Sequence, residues 1–87
     1  MSFNEIERKK TTLENEYNNI HTTMERKKEI EIIYNELTSR EIINDYLYYG
    51  YGLKTFIDND YECAKNINYD RLKQLFEEQR NYLGNCD

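Results

Sequence analysis

Eighty-seven residues make one small domain, 38% apolar and 33% charged, with a net charge of −5. The charge divides as −2 over residues 1–37 (eight acids, six bases) and −3 over 38–87 (nine acids, six bases), so neither half shows the basic excess of a nucleic-acid binder. No apolar run approaches the ~20 residues of a membrane span, MSFNEIERKK lacks a signal-peptide apolar region, and Cys63 and Cys86 are too few for a disulfide framework.

Residues 3–37 contain no Gly or Pro and read as helix. Phe3, Ile6, Leu13, Tyr17, Ile20 and Met24 fall within about 100° of one another, a narrow amphipathic seam. Ile30, Ile33, Tyr34 and Leu37 then lie on a face rotated by roughly 120°. One continuous helix would be roughly 50 Å long at 1.5 Å per residue and would project its first half toward a second copy, as a coiled coil. The alternative is a break at Asn18-Asn-Ile-His-Thr-Thr23, the weakest stretch by propensity, with Thr22 and Glu25 spaced as a capping box. The single helix is preferred, because nothing between 17 and 24 forces a turn. ERKK at 7–10 and 25–28, with TTLE at 11–14 and TTME at 22–25, recurs at offsets of 18 and 11, close to whole helical turns. That suits a straight helix, although two matches do not make a repeat architecture.

Thr38 with Glu41, or Ser39 alone, supplies the next cap, so a second helix is expected from about 40 to 49, ending at Gly50. Residues 53–66 read as irregular helix interrupted at Asp58-Asn-Asp60, where recapping avoids placing Asp60 in the apolar stripe. Asn68 caps a last helix from 69 to 83, with Ile67 and Leu72 as a hydrophobic staple and Gly84 at C′. Its stripe is Leu72, Leu75, Phe76, Gln79, Tyr82 and Leu83. The expected fold is therefore all-α: a long N-terminal segment over 3–37 and a helical module over 38–87, within one domain.

Ile, Leu and Phe make 19 of the 87 residues, about 22%, near the ~20% at which chains lose the ability to bury a core. Self-association through Phe3, Ile6, Leu13, Tyr17, Ile20 and Met24 is the natural remedy, and the expected state is a homodimer. Asn, Ile, Lys and Tyr share AT-rich codons, which accounts for the tyrosines as readily as function does.

Catalytic constellations are scarce. His21 stands alone in a helical run, and Cys63 has no basic cluster to lower its pKa, so it reads as a structural thiol. Asp58-Asn-Asp-Tyr-Glu62 has carboxylates at alternate positions as in a calcium loop. Cys63 then falls where the loop needs Gly, and Tyr69 where it needs Glu. No cofactor or metal is expected, and no enzyme activity.

YLYYGYG at 46–52 holds four of the nine tyrosines. Helical phase assigns Tyr46 and Leu47 to the core and leaves Tyr49 at the edge of that stripe, most readily core. Tyr48 and Tyr51 are left for recognition, beside the acids Asp45, Asp58, Asp60 and Glu62. Such a surface suits a basic groove on a larger protein. The leading expectation is a non-enzymatic protein-binding module, an acidic inhibitor or regulator of a larger protein, such as one that binds nucleic acid. Phage and mobile-element inhibitors offer an analogy of size and charge only. A structural coiled-coil protein and, less favoured, a nucleic-acid binder are the alternatives. The expected compartment is the reducing cytoplasm.

Overall fold

The computed structural model describes residues 1–84, which form five helices and no strand: α1 (Phe3–Tyr17), α2 (Met24–Tyr48), α3 (Leu53–Asn59), α4 (Tyr61–Ala64) and α5 (Tyr69–Gly84). The all-α expectation holds. Two boundaries within it differ from the preferred reading, and each has a physical cause.

The first is the break at 18–23, which turns the expected single helix into an antiparallel α1–α2 hairpin. Polar side chains in the break satisfy the backbone that the missing helix leaves open. Asn19 Oδ1 accepts from the His21 N–H at 2.8 Å, and Thr22 Oγ1 donates to the Glu16 carbonyl. Thr23, one residue later than expected, caps α2 by accepting from the Arg26 N–H at 3.1 Å. Arg26 then clasps the Glu16 carboxylate with Nε and Nη2. What makes folding back favourable is burial: Ile6 and Leu13 of α1 meet Ile30 and Leu37 of α2, and all four are buried. The ERKK and TTLE echoes therefore fall on two antiparallel helices and the turn between them, not on one straight helix.

The second difference is at Thr38 and Ser39, which cap nothing. Helix α2 runs through them, and Ser39 is fully buried with its Oγ 3.3 Å from Cys63 Sγ. A helix start needs a break in the chain, and here both sides of α2 are covered. Ile43 lies about 140° around α2 from Ile30, so the helix buries one face against α1 and then another against the C-terminal module. Ile43, Phe56, Ala64, Leu72, Leu75 and Phe76 form that second core, edged by Tyr46, Leu47 and Ile67. The thin apolar inventory is thus divided into two small clusters on opposite sides of one helix.

A polar layer ties the parts together. Arg71 makes a two-pronged ion pair with Glu36, at 2.9 and 3.0 Å, and Arg40 pairs with Glu78. Between them Gln79 is fully buried yet fully bonded. Its Nε2 donates to Asn44 Oδ1 at 2.6 Å and the Met1 carbonyl at 3.1 Å, while its Oε1 accepts from Arg40 at 3.0 Å and from the Met1 amino group at 2.9 Å. No buried side-chain polar atom among the described residues lacks a partner.

Asn68 starts α5 as expected, its Oδ1 accepting from the Asp70 N–H at 2.7 Å. Gly84 lies within α5 rather than in the left-handed conformation of a C′ residue, which among the described residues only Gly50 adopts. The radius of gyration is 13.9 Å, against about 12 Å for a compact chain of this length. The excess reflects α2, whose 25 residues span roughly 37 Å and carry the hairpin turn beyond the module.

Candidate functional site

The tyrosine-rich end of α2 is first a helix stop. Gly50 has φ +83°, the Gly50 N–H bonds the Leu47 carbonyl at 3.1 Å, and the Tyr51 N–H reaches back to the Tyr46 carbonyl at 2.8 Å. This is the Schellman arrangement, in which a left-handed glycine lets two orphan carbonyls be satisfied. The side chains flanking such a stop usually touch, and the Tyr46 and Tyr51 rings do, edge to face at 6.0 Å. The backbone position of Tyr51 is therefore fixed by the stop, although the glycines on either side suggest freedom.

Tyr46 is core, as expected. Its ring stands edge-on to Phe56 at 5.6 Å, and its hydroxyl donates to Asp60, tying α2 to the α3–α4 junction. Tyr49, expected in the core, is 72% exposed and pairs edge to face with Tyr48, itself 82% exposed, at 5.2 Å. Phase placed it near the stripe, but α2 ends there and nothing packs over it. Tyr51 is 54% exposed. Recognition by aromatic surface thus falls to Tyr48, Tyr49 and, partly, Tyr51.

The expected acids do not act as one set. Asp45 and Asp58 are exposed and have no ion pair among the described residues. Asp60 is taken by Tyr46, and Glu62 by Lys65 one helical turn on. The N-terminal seam is also divided. Ile6 and Leu13 are covered by α2 of the same chain, so the face expected to meet a second copy is closed where it is most apolar. Phe3, Ile20 and Met24 are exposed, and Tyr17 borders a cleft instead. His21 lies in the turn rather than a helix, exposed. Cys63 is half-buried against Ser39, and Cys86 lies outside the described residues. Among the described residues no group of three or more metal-binding side chains comes together, and no helix is long and apolar enough to cross a membrane.

Sequence reasoning missed the cleft between α1 and α2, a space of about 470 Å³ lined by Glu14, Tyr17, Asn18, Ile30, Glu31, Tyr34 and Asn35. Tyr34 donates to Glu14 at 2.6 Å and Tyr17 to Glu31 at 3.3 Å, each bond crossing between the helices. Lys10 stands 4.8 Å from the Tyr34 ring centre and Lys27 5.2 Å from that of Tyr17. The signal was present only under the broken-helix reading. Folding the chain at 18–23 sets 14 against 34 and 17 against 31, whereas a straight helix scatters them.

Hydrogen bonding leaves a titration signature. The Asp60 carboxylate holds the Tyr46 phenol above its ordinary value of 10.0, and Glu14 does the same for Tyr34. A raised phenol binds its proton more tightly in the folded state. Its stabilising contribution is therefore complete below pH 10 and is lost as pH rises through the raised value. In a spectrophotometric alkaline titration, two of the nine tyrosines should ionise late. Tyr46→Phe should remove about half of that late phase; an unchanged late phase would place it on other tyrosines.

None of the family models, curated proteins or solved structures compared with the chain matches it.

Proposed function

We propose that the chain is a non-enzymatic protein-binding module that docks on a basic surface of a larger protein. One observation carries the reading: Tyr48 and Tyr49, adjacent at the end of α2, leave 82% and 72% of their surfaces in water. Tyrosine offers a large rigid contact at low entropic cost with one polar tip, which makes it a preferred interface anchor. Two set edge to face, with exposed Asp45 on the preceding turn, give an aromatic anchor with an acid beside it. The chain's −5 charge favours a basic partner through long-range attraction. A regulator or inhibitor of such a partner fits this surface better than a structural coiled coil, because the hairpin closes its own seam.

The test is capture of partners from an extract by the immobilised wild-type chain and by the Tyr48→Ala/Tyr49→Ala variant. We expect a basic protein retained by the wild type, released as salt rises, and retained at least about tenfold less by a variant of unchanged helicity. Equal retention by both chains would remove the tyrosine surface from the reading.

A further inference from the structure

The α1–α2 cleft has features that the tyrosine end lacks: walls, a floor and a defined set of acceptors. Its floor is the buried Ile30, and two of its sides are the Tyr17 and Tyr34 rings. Each tyrosine hydroxyl engages one oxygen of Glu31 or Glu14, which leaves the second oxygen of each carboxylate for another donor. Neither carboxylate has an ion pair among the described residues, and Asn18 and Asn35 add two carboxamides at the rim. The nearby cations do not balance the site. Lys10 is engaged by Glu41 at 2.9 Å, leaving Lys27 as one cation beside two acids.

We propose that this cleft receives an arginine side chain of a basic protein partner. A guanidinium is flat on both faces, so it can lie against a tyrosine ring while its edge donates to a carboxylate. It carries five donors, matching the two free carboxylate oxygens and the carboxamide acceptors. An ammonium has a point charge and no flat face, and uses this lining less well. The cleft opens to water and both carboxylates are exposed, so a free small cation is held weakly. An arginine delivered by a protein already in contact binds at high effective concentration. Glu31 and Tyr34 lie 14 to 17 residues before Tyr48 on the same helix, roughly 20–25 Å away, within the footprint of one standard interface. The proposal rests on the protein-binding reading and states the chemistry its partner must carry.

The probe is acetyl-Gly-Arg-Gly-amide, titrated into the 15N-labelled chain at constant ionic strength, with the lysine and citrulline peptides as comparators. We expect saturable amide shifts at Glu14, Tyr17, Asn18, Glu31, Tyr34 and Asn35. The arginine peptide should bind about fivefold more tightly than the lysine peptide, and the citrulline peptide should leave these amides unmoved. Glu14→Gln/Glu31→Gln keeps an acceptor for each tyrosine and should weaken binding about tenfold. Glu5→Gln/Glu7→Gln makes the same change in net charge outside the cleft and should have no effect. Equal response to arginine and lysine, shifts centred away from the cleft, or equal loss in both double variants would overturn the proposal. Such a result leaves the protein-binding reading standing if the Tyr48/Tyr49 variant still loses its captured partner. If that variant and the wild type retain the same proteins, the tyrosine reading fails independently of the peptide result.

Discussion

Phe56→Ala should unfold the C-terminal module before any other single truncation. Phe56 is fully buried and meets Tyr46 at 5.6 Å and Phe76 at 5.7 Å, so it joins α2, α3 and α5 at one point. Removing a buried phenyl ring costs about 3–5 kcal/mol, the lost transfer energy plus the cavity left behind. Small domains hold only about 5–15 kcal/mol in total, and this one splits its apolar residues between two clusters. The expected result is a fall in Tm of roughly 15–30 °C, measured by circular dichroism at 222 nm with urea unfolding as a check. A loss below about 1 kcal/mol, the size of an ordinary surface substitution or little more, would mean that Phe56 is not the junction of the module.

Gln79→Met tests the polar layer and should be nearly as damaging. Methionine keeps the volume and removes the amide, so the change reads hydrogen bonding rather than a cavity. Asn44 Oδ1 and the Met1 carbonyl lose their donor, the Met1 amino group loses an acceptor, and Arg40 loses one while keeping Glu78. Stranding buried polar groups costs about 1–3 kcal/mol each, so a net loss of about 2–4 kcal/mol is expected by urea denaturation. The Asn44→Ala cycle should recover part of it, with a coupling of about 0.5–3 kcal/mol. Full additivity of the two substitutions would show that Gln79 and Asn44 are not one tie. The layer has a structural reason: the two apolar clusters lie on different faces of α2 and do not merge, so polar groups fill the α2–α5 contact between them.

The acid side of the pH profile follows from the same layer. Hydrogen bonding from Arg40 holds the Glu78 carboxyl below its ordinary 4.5. A lowered carboxyl contributes above its unfolded value and loses that contribution as pH falls through the folded one. The hairpin–module tie should therefore weaken in the pH range below about 4.5. Glu78 is half exposed, so water screens its pair and keeps this effect small.

Local signals were legible wherever one residue satisfies its own backbone neighbours. Asn68 announced α5 because its side chain closes on Asp70, and Gly50 announced the end of α2 because only glycine takes φ +83° without strain. The spacing of Leu72, Leu75, Phe76 and Gln79 gave the buried face of α5, whereas Tyr82 and Leu83, expected on the same stripe, are exposed at the helix end. Even the seam residues Ile6 and Leu13 were correctly apolar-facing; what they face was not legible.

Tertiary structure decided the rest, because capping spacings are cheap and occur where no helix begins. Thr22 with Glu25 and Thr38 with Glu41 have equivalent spacing. The chain turns beside the first, using Thr23, and runs straight through the second. A cap contributes about 1 kcal/mol, and burial of several large side chains outweighs it. Folding at 18–23 buries Ile6 and Leu13 on Ile30 and Leu37, whereas breaking at 38–39 would strip Ser39 and its neighbours from the module. The same fold-back created the tyrosine–carboxylate cleft, whose pairs Glu14–Tyr34 and Tyr17–Glu31 lie 20 and 14 residues apart in the chain and meet only once the hairpin closes. The sequence by itself determined the helical class, the stop of α2 at Gly50 and the start of α5 at Asn68. Which faces meet, and so which surfaces remain for a partner, was decided by long-range burial that no local spacing encodes.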